Sequence, residues 1–287
     1  MPVPFTAIDS HAHVFTRALP LAAVRRHAPE VDATLDTYLA LLDAHGVSHG
    51  VLVQPSFLGT DNRFLLEALS TAPDRLRGVA VVEPGVAEEA LQSMALAGVC
   101  GIRLNLVGLP LPDVRTADWQ ALFARVRGLD WHVELHAESH RLAEAAAAPL
   151  AAGCKLVIDH FGRPTAGAMK ASGDPGFAWL LAAAETGQVW VKLSAAYRNW
   201  SPEILASSAQ GAAHALLRAF GADRLVWGSD WPHTQHRDFA DYASARAALD
   251  EWITDAAARQ RILVDTPARL FHFKSTPGDN HDFAHQP

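Results

Sequence analysis

The sequence lacks several features that would define other classes of protein. Its 287 residues include only two cysteines, Cys100 and Cys154, both in apolar surroundings at the starts of predicted strands. We therefore expect buried free thiols rather than a disulfide framework or a redox pair. Lys and Arg total 24 against 31 Asp and Glu, a formal net charge of -7. Without a basic surplus to neutralise phosphates, a nucleic-acid partner is not expected.

Long apolar segments are also missing. No apolar run approaches the roughly 20 residues that span a bilayer. The first residues, MPVPFTAIDSHAHVF, have neither the basic region nor the apolar region of a secretory signal. We therefore expect a cytoplasmic protein that does not act at a membrane.

What the sequence does contain is an alternation of short β-rich runs with longer Ala/Leu-rich stretches. The β-rich runs are almost continuous in apolar residues, which is typical of strands covered on both faces. Eight such runs predict a parallel (β/α)8 TIM barrel of the α/β class in one domain, residues 1–274, followed by a flexible tail, residues 275–287. The predicted strands are Phe5–Asp9, Ser48–Gln54, Leu76–Val82, Val99–Leu104, Trp131–His136, Lys155–Asp159, Val189–Leu193 and Leu225–Gly228.

A doubly wound sheet is the alternative architecture for alternating strands and helices. It needs fewer strands, and its first βα turn is usually rich in glycine so that the backbone approaches a pyrophosphate. Here that turn reads SHAHVF and contains no glycine. The barrel is therefore the expected fold.

Residues with chemical capacity gather where the predicted strands end, which is the face that carries the active site of a barrel. His11 and His13 follow the first strand, and side chains two apart on an extended chain point the same way, so their imidazoles should converge. His132, His140 and His214 fall at helix or strand-start positions and are expected at the surface. Later strand ends supply Arg103, Asn105, His136, Glu138, Asp159, His160, Arg163, Lys192, Ser194, Tyr197, Arg198, Asp230 and His233.

The motifs IDSHAHVF, GIRLN, VIDHFGRP, VKLSAAYR, LVWGSDWPH and TPARLFHF together resemble those of the amidohydrolase superfamily. Within it, the chain is similar to the amidohydrolase-2 group, which contains pyrone dicarboxylate lactonases and sugar and muconolactone lactonases. The resemblance extends from about Phe5 to Phe273. It implies a (β/α)8 barrel, in agreement with the strand count, and a hydrolase that opens a small carboxylated lactone.

The resemblance also implies catalytic roles. Asp230 would be the general base that deprotonates the attacking water and then returns the proton to the leaving oxygen. His11, His13 and His160 would polarise the scissile carbonyl, either directly or through a metal.

Substrate binding would fall to a second set of residues. Arg103 and Arg198 would clamp substrate carboxylates, with structural ion pairs at the barrel rim as the alternative. Pyrone lactonases carry a further arginine a few residues beyond the strand-four Arg-x-Asn, whereas here LVGLPLPDV provides no cation before Arg115. This departure predicts a substrate with less negative charge than a dicarboxylate. The other predicted substrate contacts are Asn105, Arg163, Tyr197 and His233.

His136 leaves the need for a metal open. Metal-dependent members of the superfamily place a histidine after the fifth strand, whereas pyrone lactonases work without metal and have a non-ligand there. His11, His13, His136 and Asp230 would form a three-nitrogen, one-oxygen set suited to a divalent metal, Zn²⁺ above all, with one position open for water. The sequence predicts either this site or no cofactor.

Two other functions compete with the lactonase. Metal-dependent decarboxylases of small aromatic or muconate-type acids have a similar set of histidines and a strand-eight aspartate, but the short interval from His136 to His160 fits the lactonases better. A barrel that merely binds a ligand would not need the full set of acid, base and electrophile residues. A homodimer is compatible with the sequence.

Overall fold

The computed structural model describes residues 5–165 and 173–274, and in them eight short strands alternate with helices. The expected tail, residues 275–287, lies outside the described residues. The strands are β1 (Ile8–Ala12), β2 (His49–Val53), β3 (Leu76–Ala80), β4 (Val99–Asn105), β5 (His132–His136), β6 (Lys155–Ile158), β7 (Val189–Leu193) and β8 (Leu225–Trp227). The helices are α1 (Leu35–Ala44), α2 (Arg63–Thr71), α3 (Glu88–Leu96), α4 (Ala117–Gly128), α5 (Leu142–Ala151), α6 (Pro175–Ala183), α7 (Pro202–Phe220), α8 (Tyr242–Trp252), α9 (Ala256–Gln260) and α10 (Thr266–Leu270).

The strands form one parallel sheet whose order follows the sequence from β1 to β8. Its two edges meet where the backbone N–H of His13 donates to the carbonyl of Trp231 and that of Asp230 donates to the carbonyl of His11, both at 2.8 Å. Gly228 permits this approach, because a Cβ at that position would lie 2.6 Å from the Cβ of His11. The prediction of a TIM barrel is confirmed, and the sheet edges join at the two motifs that carry His11 and Asp230.

Two elements differ from the prediction. β1 begins at Ile8 rather than Phe5, because its parallel register pairs Ile8 with His49. His11 consequently lies inside the strand and is fully buried. Helix α8 was not predicted, although its buried residues, Tyr242, Leu249 and Trp252, are seven and three residues apart, a spacing that places them on one face of a helix.

The expected surface position of His132 is wrong. Its side chain is 1% exposed and packs against the ring of Phe271, with ring centroids 5.3 Å apart. Gly101 on the neighbouring strand leaves space for the imidazole, since a Cβ there would lie 2.4 Å from it. His140 and His214 are exposed, as expected. Both cysteines are buried free thiols, which confirms that prediction.

Apolar packing lies in two places. The larger cluster joins the outside of the sheet to the helices. A smaller one joins strand residues such as Ile8, Val51 and Val157 to the C-terminal residues Phe271 and Phe273. This second cluster fills the barrel at the end where the strands begin, which leaves the opposite end for polar residues. In the described part of the chain no helix has the length and apolar character needed to cross a membrane.

Candidate active site

A cavity of about 260 Å³ opens at the C-terminal ends of the strands. Three predicted residues, His11, Tyr197 and His233, contact the groups that line it rather than lining it themselves. The cavity also includes Arg26 and His27, which the sequence analysis did not select; the only signal for them was the basic run RRH in the loop after His13. The predicted residues that line it are His13, Arg103, Asn105, His136, His160, Arg163, Arg198 and Asp230.

Asp230 presents its two carboxylate oxygens to different surroundings. Its Oδ2 accepts hydrogen bonds from the Tyr197 hydroxyl at 2.6 Å and from Nε of Arg198 at 2.7 Å. Its Oδ1 lies 3.7 Å from Nε2 of His11, 3.7 Å from Nε2 of His13 and 3.9 Å from Nε2 of His160. One oxygen is therefore fixed, while the other faces three imidazoles without a direct hydrogen bond to any of them.

The backbone around these groups adopts conformations that non-glycine residues rarely occupy. Positive φ angles occur in the segments that follow the last three strands, and each costs on the order of 1–3 kcal/mol. Such residues persist where the surroundings hold them, as when Nδ2 of Asn199 donates to the carbonyl of His160 at 2.9 Å. The strained residues here are His160 (φ 52°), Arg163 (52°), Ala195 (49°), Asp230 (60°) and His233 (57°).

Two buried cations determine which nitrogen of His11 and of His136 carries the proton. Lys192 Nζ lies 2.9 Å from Nδ1 of His11, and Arg103 Nη2 lies 3.3 Å from Nδ1 of His136. Ammonium and guanidinium groups only donate, so both Nδ1 atoms accept. The neutral rings therefore carry their protons on Nε2, that of His136 at the cavity and that of His11 facing Nε2 of His13. Asp159 Oδ1 also lies 3.3 Å from Nδ1 of His11 and acts to raise its pKa, but the 2.9 Å contact with Lys192 Nζ is the shorter of the two.

His13 and His160 have different partners. Nδ1 of His13 lies 2.7 Å from the carbonyl of Val53, so it must donate, and Nε2 keeps a lone pair 3.2 Å from Nε2 of His11. Nδ1 of His160 lies 2.8 Å from the hydroxyl of Ser194, a group that can either donate or accept. The His-x-His pair thus converges on one point, as the spacing predicted.

These contacts set the charges of the site. Burial raises the pKa of Asp230, but the facing Arg198 guanidinium and the imidazoles outweigh burial and hold that pKa well below its usual range. Burial lowers the pKa of His13 to about 4 and that of His160 to about 3, and it lowers those of His11 and His136 well below 6.5. At neutral pH Asp230 therefore faces the described part of the cavity as an ionised carboxylate among neutral imidazoles.

Two of the predicted carboxylate clamps are engaged in ion pairs. Arg103 contacts Asp159 at 2.8 Å and Glu134 at 3.2 Å, and Arg198 contacts Asp230 at 2.7 Å. Both arginines still line the cavity. The two arginines thus form the ion pairs that were the alternative to substrate clamps. These ion pairs leave fewer N–H groups of each guanidinium free for a substrate.

Within residues 5–165 and 173–274, three groups of buried residues have ligand atoms close enough to hold a metal ion: His11 with His160 and Asp230, His136 with Asp159 and His160, and His11 with Glu134 and Asp159. A metal-bound histidine normally donates its other N–H to a carboxylate or carbonyl. His13 follows that rule, but His11 and His136 have Lys192 and Arg103 in that place, which leaves no lone pair on Nε2. The predicted set of His11, His13, His136 and Asp230 therefore does not fit a metal ion.

The family of the chain follows from comparison with known proteins. The amidohydrolase family model matches residues 8–273, and the chain belongs to this family. It is 33% identical to the 4-sulfomuconolactone hydrolase of Rhizobium radiobacter over 94% of this chain and 91% of that protein. It is 30% identical to the 2-pyrone-4,6-dicarboxylate hydrolase of Comamonas testosteroni, again over 94% and 91%. The structure of a Pseudomonas putida protein, described as a candidate 2-pyrone-4,6-dicarboxylic acid hydrolase, is 50% identical, with a TM-score of 0.89, over 95% of this chain and 99% of that one. The resemblance found in the sequence is confirmed.

Proposed function

We propose that this enzyme hydrolyses a small carboxylated lactone, with Asp230 as the general base. One observation carries the proposal: Asp230 Oδ1 faces three imidazoles at 3.7–3.9 Å at the cavity, while Oδ2 is fixed by Tyr197 and Arg198. Relatives named as hydrolases of a muconolactone and of a pyrone dicarboxylate support the same reaction.

The reaction begins with a water molecule held at Oδ1. Asp230 takes a proton from this water, and the oxygen forms a bond to the lactone carbonyl carbon. The Nε2–H of His136, which lines the cavity and has no hydrogen-bond partner among the described residues, stabilises the negative charge that develops on the carbonyl oxygen, while the Nε2–H of His11 faces Nε2 of His13. The ring C–O bond then breaks, and the leaving oxygen takes the proton back from Asp230. The product is an open-chain acid with a free hydroxyl or its keto tautomer.

The proposed mechanism uses no metal. Lys192 and Arg103 place positive charge at Nδ1 of His11 and of His136. In the proposed mechanism this charge replaces that of a metal, and it keeps the two imidazoles as Nε2–H donors. Chelation with EDTA should therefore leave the rate unchanged, and added Zn²⁺ should not raise it. Loss of activity on chelation, restored by metal, would contradict this part of the proposal.

The remaining predicted residues divide between the base and the substrate. Tyr197 contacts Asp230 and lies 3.1 Å from Nδ1 of His233, so these two orient the base rather than bind substrate. Arg163 lines the cavity and uses one N–H on the carbonyl of Arg198 at 3.1 Å. Its other donors are available for a substrate carboxylate.

The test is a panel of lactones: sugar lactones, muconolactones and pyrone carboxylates, followed by proton release and by identification of the products. We expect ring-opened acids of unchanged carbon count and no release of carbon dioxide. Decarboxylation of an aromatic or muconate-type acid, without lactone hydrolysis, would replace the proposal with the alternative function.

A cytoplasmic location and a homodimer stay predictions from the sequence. Cell fractionation tests the first, and sedimentation of the purified protein tests the second. Secretion, or a monomer at all concentrations, would contradict them.

A further inference from the structure

The positive charge of the cavity is only partly balanced by the protein. Four arginines line it, and Arg103 and Arg198 are paired with carboxylates. Arg26 and Arg163 form no ion pair with any carboxylate of the described residues; their hydrogen bonds go to Asn105 Oδ1 and to the carbonyl of Arg198. Asp230, the one acid among the described cavity residues, is already engaged. A ligand with a single carboxylate would leave one of the two unpaired guanidiniums uncompensated.

Arg26 reaches this position across the loop that follows β4. Its Nη2 lies 3.3 Å from Oδ1 of Asn105, the last residue of that strand. Its aliphatic stem passes over Gly108, where a Cβ would lie 3.7 Å from Cδ of Arg26. This is the stretch in which the sequence has no cation before Arg115. Arg26, in the loop after β1, thus provides a positive charge where the loop after β4 has none. The sequence-based expectation of a substrate with less negative charge than a dicarboxylate therefore no longer follows.

The surroundings of Arg26 favour an anion. Partial burial, together with the nearby Arg103 and Arg198, lowers the pKa of Arg26, while Glu138 acts in the opposite direction; the side chain itself is exposed at the rim of the cavity. An anionic group placed between these guanidiniums would relieve that repulsion. The planar guanidinium also matches the two oxygens of a carboxylate or a sulfonate.

We propose that Arg26 binds a second anionic group of the substrate, in addition to a carboxylate held by Arg163, and is thereby a residue that selects dianionic over monoanionic lactones. The proposal rests on the lactonase function and adds a specificity-determining residue to it, since a relative is already named for a dicarboxylate substrate. Asn105 orients Arg26 and takes no part in the chemistry.

The test compares Arg26→Met with Arg25→Met, which removes the same charge from the neighbouring residue; both side chains are exposed, but Arg25 does not line the cavity. The substrates are 2-pyrone-4,6-dicarboxylate and the two 2-pyrone monocarboxylates. For Arg26→Met, kcat/KM on the dicarboxylate should fall by about 10- to 100-fold, mostly through KM, as expected for loss of a charged hydrogen bond. On the monocarboxylate that lacks the group facing Arg26, the change should stay below about threefold. Arg26→Lys should recover part of the loss, and Arg25→Met should match the wild type.

A second measurement separates this proposal from the lactonase function. Binding of citrate, a polycarboxylate that cannot be hydrolysed, is followed by calorimetry in the same variants. If the wild type opens no lactone but Arg26→Met binds citrate more weakly than Arg25→Met, the lactonase function fails and the anion site stands. If Arg26→Met and Arg25→Met bind citrate equally and discriminate equally between the dicarboxylate and the monocarboxylates, the assignment of Arg26 is overturned. It is also overturned if the wild type prefers monoanionic or neutral lactones.

Discussion

Replacement of Asp230 by asparagine tests the general base with little change in shape. The Tyr197 hydroxyl and Nε of Arg198 both donate to Oδ2, at 2.6 and 2.7 Å. The amide of Asp230→Asn will therefore turn its oxygen toward these two donors and its NH2 group toward the imidazoles. The hydrogen bonds that hold the side chain persist, but the atom that faces the water is no longer basic.

The expected loss follows from this geometry. Removal of a general base costs about 10²- to 10⁴-fold in rate, or about 3–5 kcal/mol of activation free energy. Because Asp230 is not expected to clamp the substrate, the loss should appear in kcat with little change in KM. The assay is steady-state proton release on the best lactone of the panel, and thermal unfolding checks the fold. Asp113→Asn, an exposed carboxylate paired with Arg115, is the matched control. If Asp230→Asn keeps more than about a tenth of wild-type kcat, Asp230 is not the general base.

Three further results are expected. Because the base works only when it is ionised, activity should be lost as the pH falls through the pKa of Asp230. Arg198→Met removes the charge that holds this pKa down, so the acid limb of the variant's kcat/KM profile should move to higher pH. An acid limb that does not move would contradict the ion pair. The imidazoles should add no limb to the wild-type profile between pH 8 and pH 5, since burial lowers the pKa of His13 to about 4 and that of His160 to about 3; a limb near pH 7 would instead report Glu134, whose pKa burial raises to about 7. Gly228→Ala places a Cβ 2.6 Å from that of His11, so urea unfolding should show a loss of about 1–3 kcal/mol, whereas Gly211→Ala, in open space on α7, should show none.

Much of the site could be predicted from the sequence because, in a barrel of parallel strands, the residues that follow the strands all lie at the same end. Once eight strands are recognised, a residue that follows any strand lies at one face, and His13, His160 and Asp230 meet there although the last two are 70 residues apart. The His-x-His spacing similarly fixes the convergence of two imidazoles, because an extended chain has a period of two. The family motifs then agree with an architecture that the strand count had already suggested.

The sequence by itself determined the fold class, the family and which residues gather at the mouth of the barrel. Only the tertiary structure decided their partners: Lys192 behind His11, Arg103 behind His136, and Arg26 over Gly108. Proton position and charge balance depend on atoms within hydrogen-bond distance, and these come from strands and loops far apart in the chain. The period of a strand tells which way a side chain points, but it carries no information about what the side chain will meet.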